Sequence, residues 1–290
     1  MCPPRAGALP RTIAPAATLP FGGAMQLSAN LSMLYADLPL AERLEAAARD
    51  GFAGVEIQFP YDVVPTSLAQ MLRAHAMPLV LINTPAGSPG EVGLAGLPGR
   101  EAEFRQAMKT ALAVCAATGC PSVHVMAGRP PADADPAAVR ATLIANLAWA
   151  APLARAQGVT LTLEPLNRHD VPGYAYHQPA EALAVLRTLD DPTVRLQFDF
   201  YHVQREGLDL PGELATALPW VHHVQLARAE GRHEPDLADT AVIAGLRALR
   251  TSGYAGWIGA EYKPQGDTTA GLTAWLPAYH RLLAPSRGSA

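Results

Sequence analysis

The stretch Leu161-Thr162-Leu163-Glu164-Pro165-Leu166-Asn167 is an apolar, β-prone run that stops on a carboxylate followed at once by a proline. Continuous Leu/Val/Ile runs mark strands buried on both faces. An acid at the C-terminal lip of such a strand must be neutralised, by a cation or by a proton in transit. The pattern recurs down the chain. Leu196-Gln197-Phe198-Asp199 and Trp257-Ile258-Gly259-Ala260-Glu261 end on acids, and Val221-His222-His223-Val224-Gln225 ends on an amide. Four successive strand ends each carry an oxygen donor.

Working outward from this stretch, hydrophobic spacing predicts strands over 25–31, 54–59, 79–83, 122–126, 159–164, 194–199, 221–226 and 257–261. Helical spacing fills the intervals at 40–50, 67–75, 100–118, 136–157, 179–189, 211–218, 240–251 and 269–283, with Gly51 and Gly119 as helix stops. Strand–helix alternation repeated eight times in about 260 residues is the rhythm of a (β/α)8 TIM barrel in the α/β class. An open doubly wound sheet would usually carry a glycine-rich phosphate loop after its first strand, and Leu31-Ser32-Met33-Leu34-Tyr35 has none. The glycine- and proline-rich loop over 84–99 exceeds a simple connector and reads as a lid or binding loop.

The 290 residues (30.6 kDa) are 49% hydrophobic and 17% charged, enough for a sizeable core. A net charge of −4 gives no electrostatic reason to expect a nucleic-acid partner. Cys2, Cys115 and Cys120 show no zinc-site spacing and read as reduced thiols of a cytoplasmic protein. No run is read as reaching the roughly 18 apolar residues of a membrane span. The segment 1–24, rich in Pro, Ala and Gly, is read as a disordered extension or a start assigned too early, and 285–290 as a disordered tail; the barrel occupies 25–284. The sequence leaves the oligomeric state open, a homo-oligomer included.

In such a barrel the active site lies at the C-terminal strand ends. Glu164, Asp199, Gln225 and Glu261 would line one continuous half of that mouth. Three carboxylates that close cannot all ionise without a cation, and all-oxygen ligation suits Mg²⁺ or Mn²⁺. His202, three residues past Asp199, is placed to reach a substrate oxygen. Arg232, in a charged loop with His233 and Glu234, and Lys263 are candidates to hold an anionic substrate group, arginine because its fork donates two parallel hydrogen bonds. His222 and His223, being adjacent, are expected on opposite faces of strand seven, with His223 packed in the core.

These residues carry a family resemblance. The chain resembles the hydroxypyruvate isomerases, which include the 2-oxo-tetronate isomerases, in the sugar isomerase/epimerase group of xylose-isomerase-like barrels. The resemblance rests on an ordered set of motifs: Ser28-Ala29-Asn30-Leu31-Ser32-Met33-Leu34, Phe59-Pro60-Tyr61-Asp62, Asn83-Thr84-Pro85-Ala86-Gly87, Pro98-Gly99-Arg100, Glu164-Pro165-Leu166-Asn167, Asp170-Val171-Pro172-Gly173, Asp199-Phe200-Tyr201-His202, Arg232-His233-Glu234-Pro235 and Glu261-Tyr262-Lys263-Pro264. It implies Glu164, Asp199, Gln225 and Glu261 as ligands of a divalent metal, Glu164 and Glu261 also as proton carriers, and His202 and Arg232 as substrate contacts. The implied reaction interconverts aldehyde and ketone forms of a small hydroxy-oxo acid, such as hydroxypyruvate and tartronate semialdehyde, through an enediolate. The chain departs from the family pattern after strand seven. There a Thr-Gly-Glu segment is replaced by Leu237-Ala238-Asp239-Thr240-Ala241-Val242, and Arg228 stands where the family tends to carry an acid.

Other readings divide on residues. A sugar or ketose epimerase, or an inosose-type dehydratase, could use the same two glutamates. A DNA-repair endonuclease on this barrel would need a multi-metal site richer in histidine and a basic face. A non-catalytic binding barrel finds support only in the altered loop after strand seven.

Overall fold

The computed structural model describes residues 25–283; the expected extension and tail lie outside them. Strands β1 (Gln26–Asn30), β2 (Gly54–Glu56), β3 (Leu79–Asn83), β4 (Ser122–His124), β5 (Thr160–Leu163), β6 (Val194–Asp199), β7 (Val221–Leu226) and β8 (Trp257–Ala260) pair in parallel in sequence order, and β8 closes on β1. Around them run α1 (Leu40–Arg49), α2 (Pro65–Ala74), α3 (Glu101–Thr118), α4 (Pro136–Arg155), α5 (Pro179–Leu189), α6 (Phe200–Arg205), α7 (Leu210–Ala217), α8 (Thr240–Thr251) and α9 (Thr268–Leu283). The fold is the expected (β/α)8 barrel. One helix was not foreseen. α6 is too short to show a helical period, and Asp199 starts it by accepting from the Tyr201 N–H at 2.8 Å as an N-cap.

α4 corrects the expectation that no run has membrane-span dimensions, since an 18-residue window of it has a mean hydropathy of 1.3, long and apolar enough by length and composition alone. Its buried face, with Val139, Leu143, Leu147, Ala150 and Ala154, serves the barrel. The exposed face is apolar largely through alanines, which are strong helix formers.

The loop over 84–99 is docked over its second half. Gly93 bridges Ala127, and the N–H groups of Leu94, Ala95 and Gly96 all donate to the Met126 and Ala127 carbonyls. Gly93 has φ +117°, and a Cβ there would meet the Met126 carbonyl at 2.3 Å, so close backbone approach dictates glycine.

The barrel interior is polar where this fold usually stacks branched apolar side chains. Across it, Ser122 on β4 meets His222 on β7 (Oγ to Nε2, 2.9 Å), and Glu56 on β2 meets His223 on β7 (Oε1 to Nε2, 2.8 Å). Neither pair of strands is adjacent, so both histidines point inward, against the expectation of opposite faces. The cause is a register shift between β6 and β7, where Leu196 pairs with Val221 but Gln197 with His223. The extra residue, His222, breaks the period-two alternation as a β-bulge does.

Candidate active site

The four predicted strand-end residues come together at the C-terminal mouth, all buried. Each reaches it by the same route, a strand whose alternate residues face the interior. Thr162, Gln197 and Gln225 form an amide chain beneath the carboxylates. Thr162 Oγ1 donates to Gln197 Oε1 at 2.9 Å, and Gln197 Nε2 donates to Glu164 Oε2 at 2.9 Å and to Gln225 Oε1 at 2.8 Å. Gln225 Nε2 in turn donates to Glu56 Oε2 at 2.8 Å and closely to Glu261 Oε2. Gln225 therefore joins the cluster through its amide hydrogens, its oxygen being taken by Gln197.

Glu261 is further fixed by Asn30 Nδ2 on Oε2 at 2.9 Å and by Gln58 Nε2 on Oε1 at 3.0 Å. Glu56 lies below it, receiving Ser28 Oγ at 2.6 Å in addition to His223 and Gln225. Burial pushes the Glu56 carboxyl up, but His223 and these donors outweigh it and the net shift is downward. Gly259 makes room for this carboxylate, since a Cβ there would lie 2.1 Å from Glu56 Oε1.

Two carboxylate oxygens at the mouth, Glu164 Oε1 and Asp199 Oδ2, are buried and accept no hydrogen bond. His202 Nε2 faces both, at 3.8 and 3.7 Å. Together the three groups offer ligand atoms within 4.8 Å of one another. Burial and the Glu261 and Asp199 charges push Glu164 well above the usual carboxylate range. Burial also pushes Asp199 to about 7, against the pull of Arg232, and raises Glu261 likewise. The residues present fit a divalent cation: two buried oxygens without a hydrogen bond converge, and burial together with like charge disfavours the ionised carboxylates until positive charge is supplied.

His202 belongs to the cluster by distance but not by lone pair. Its Nδ1 accepts from the Asn167 N–H at 3.0 Å, and burial holds the ring neutral with its pKa well below the ordinary value. The remaining proton then sits on Nε2, so His202 presents a donor to the mouth.

Arg232 also reaches the site. Its Nη2 lies 2.6 Å from Glu261 Oε1 and 3.5 Å from Asp199 Oδ2, and the guanidinium stacks over Tyr201 at 4.8 Å. Its backbone adopts φ +55° and its carbonyl accepts from the Lys263 N–H at 2.6 Å. Burial lowers its pKa, but Glu261, Asp199 and Glu164 more than offset this and the net shift is upward. Lys263 is exposed; its N–H donates to the Arg232 carbonyl and its carbonyl lies 2.9 Å from His233 Nδ1, while its side chain makes no ion pair with the carboxylates.

Several site residues were missed in the sequence. His124, at the end of β4, is buried with neither ring nitrogen hydrogen-bonded; burial pushes its pKa to about 3, and Nδ1 lies 3.2 Å from Glu164 Oε2. Glu56, Gln197 and Asn30 were missed with it. Their signal is a pair of polar residues two apart near the ends of six of the eight strands: Ser28/Asn30, Glu56/Gln58, Ser122/His124, Thr162/Glu164, Gln197/Asp199 and His223/Gln225. The altered loop after β7 has its own structural account. Asp239 caps α8, accepting from the Ala241 N–H at 2.8 Å and from Gln204 Nε2 at 2.7 Å, and Asp236 lies 4.0 Å from Arg228.

Comparison with known proteins agrees with this fold. The family model described as xylose isomerase-like TIM barrel matches residues 44–279. The chain is 41% identical to a 2-oxo-tetronate isomerase of Cupriavidus necator over 256 residues, 88% of this chain and 98% of that protein. It is 35% identical to the hydroxypyruvate isomerase of Escherichia coli over 257 residues, 88% of this chain and 99% of that one. A solved structure from Brucella melitensis, described as an AP endonuclease of family 2, superposes with a TM-score of 0.84 at 36% identity, covering 87% of this chain and 98% of that one. The chain is a member of the xylose isomerase-like TIM barrel family, in the group of isomerases that holds the hydroxypyruvate and 2-oxo-tetronate isomerases.

Proposed function

We propose that the protein isomerises a three- or four-carbon hydroxy-oxo acid, moving a proton between adjacent carbons so that a ketone and an aldehyde exchange places. The observation that carries this reading is the pair of orphaned, buried oxygens, Glu164 Oε1 and Asp199 Oδ2, facing the N–H of His202. Glu164, Asp199 and Glu261, with Gln225 if its amide turns over, would hold a divalent cation, Mg²⁺ or Mn²⁺ by the hardness of the donors. Such a cation supplies Lewis acidity to the substrate's carbonyl and hydroxyl oxygens, which acidifies the C–H bond between them.

The chain's own groups do the rest. For hydroxypyruvate, one glutamate of the pair Glu164 and Glu261 takes a proton from the hydroxymethyl carbon, and the same or the facing one returns a proton to the former carbonyl carbon. The hydroxyl proton transfers to the other oxygen, so the product is tartronate semialdehyde with no atom gained or lost. His202 Nε2–H donates to the oxygen that gains negative charge. Arg232 is the partly buried cation at the mouth and would turn to the substrate carboxylate.

The same pair of glutamates could serve a carbon epimerisation, and no observation favours it over isomerisation. The endonuclease description of one relative finds no support in the charge of −4 or in a mouth whose buried donors are mainly carboxylates. The test is an NMR assay of the metal-loaded protein with hydroxypyruvate, 2-oxo-tetronate and a ketohexose in parallel. Turnover of one of the acids and exchange of its C–H proton with solvent are expected. Turnover of the ketohexose alone would replace this reading with an epimerase.

A further inference from the structure

Tyr201 takes no part in the chemistry above, yet three of the sequence motifs meet on its ring. It belongs to Asp199-Phe200-Tyr201-His202; its hydroxyl donates to Oδ2 of Asp170, which opens Asp170-Val171-Pro172-Gly173; and over it stacks Arg232, which opens Arg232-His233-Glu234-Pro235. The residue is 4% exposed and braced in three directions. Its N–H donates to Asp199 Oδ1 at 2.8 Å, its hydroxyl is tied to Asp170, and its ring packs edge-to-face with that of His202, centroids 5.1 Å apart. Asp170 is fixed in turn, since the same oxygen accepts from Asn167 Nδ2 at 3.0 Å.

Arg232 needs such a platform. It comes from a turn rather than a strand or helix, with φ +55°. Its hydrogen bond to Glu261 runs through Nη2, and its Nε is buried without one. A fork held at one nitrogen can still twist, and the face of Tyr201, 4.8 Å from Cζ, sets its plane. The plane matters because a guanidinium grips a carboxylate through two parallel N–H bonds only when the two groups are coplanar.

We propose that Tyr201 is a positioning residue for substrate binding: its ring holds the Arg232 guanidinium in the plane from which both arms of the fork reach the substrate carboxylate. This role rests on the function proposed above and prepares Arg232 for its part in it. A planar cation is attracted to an aromatic face, more strongly where water is excluded, and the Arg232 side chain is only 14% exposed. The fork meets the substrate already ordered, so less side-chain freedom is lost on binding.

The experiment compares wild type, Tyr201→Phe and Tyr201→Leu, each metal-loaded and shown by circular dichroism to be folded at the assay temperature. Phenylalanine keeps the ring and loses only the hydroxyl; leucine removes the ring. The measurements are KM and kcat for whichever of hydroxypyruvate and 2-oxo-tetronate the wild type turns over, and the competitive inhibition constant of dihydroxyacetone, which carries a neutral hydroxymethyl group in place of the carboxylate. Tyr201→Leu should raise KM about tenfold, leaving kcat and the dihydroxyacetone constant within about threefold of wild type, and Tyr201→Phe should keep KM within about threefold. If Tyr201→Leu does not fold, Tyr201→Met, longer and unbranched but without a ring, takes its place with the same expectation. An unchanged KM, a kcat that falls in its place, or a loss in Tyr201→Phe as large as in Tyr201→Leu would overturn the proposal. So would a KM and dihydroxyacetone constant that rise together, by showing that the ring acts through the general shape of the site. Wild-type protein that turns over neither acid overturns the functional reading before any variant is compared, and the role of Tyr201 with it.

Discussion

Glu164 has two oxygens with different duties. Oε2 is held from below by Gln197, whereas Oε1 is left without a partner toward Asp199 and His202. A carboxylate fixed on one edge and free on the other is poised to bind a cation or carry a proton. Glu164→Gln and Glu261→Gln should each lower turnover by about 10²–10⁴-fold, the usual size of a general acid–base contribution, as measured by initial rates. The metal-free Glu164→Gln protein should melt at or above the wild-type temperature, since the change removes a buried carboxyl from a crowd of like charges. The pH dependence follows the same groups. Asp199 has a folded pKa raised to about 7, above its unfolded value, and Glu164 and Glu261 are raised as well. The contribution of Asp199 to stability is then fully present below about pH 4 and is lost as pH rises through about 7, and the raised Glu164 and Glu261 act in the same direction. Melting temperatures of metal-free protein between pH 5 and 8 should fall with rising pH, and a flat or rising profile would contradict it. At this scale the sequence disclosed Glu164, Asp199, Gln225 and Glu261 because acids closing apolar strands are chemically conspicuous. It hid His124 and Glu56, whose neighbours come from distant strands.

At the level of elements, short devices aim the site. Asp199 ends β6 and caps α6 with one oxygen, which puts His202 in the first turn of that helix and leaves the other oxygen without a hydrogen bond. The shift in β7 turns both His222 and His223 inward, where they brace Ser122 and Glu56. Asp239 caps α8 and ties it to α6 through Gln204, so Asp239→Ala should cost about 1 kcal/mol in denaturant unfolding. Gly93→Ala should cost more, upwards of about 2 kcal/mol, because its φ of +117° and its contact with the Met126 carbonyl both resist a side chain. Periodicity revealed the eight strands and their helices. It could not reveal α6, which is under two turns, or the bulge, which appears only when β7 is paired with β6.

For the whole molecule, the closed barrel gathers three raised carboxylates, the paired Glu56 and one arginine at its centre, an arrangement short of positive charge. Chelation should abolish turnover, with Mg²⁺ or Mn²⁺ restoring it, and full activity in metal-free protein would remove the cation from the reaction. Because the site holds protons when cation-free, loading Mn²⁺ at pH 6 should release about one proton or more per ion. Calorimetry in buffers of different ionisation enthalpy reads this directly, and no dependence on buffer would count against the carboxylates as ligands. The sequence by itself determined the barrel and the strand ends whose polar side chains meet at its mouth, since burial imposes a period of two on strands and 3.6 on helices, and a carboxylate breaking such a pattern stands out. Only the tertiary structure decided the direction of the hydrogen bonds: that His202 accepts at Nδ1 from Asn167, and that Gln225 turns its amide hydrogens to Glu56 and Glu261. Those assignments depend on atoms supplied by strands far apart in the chain, and hydrogen-bond direction exists only once the barrel has closed around them.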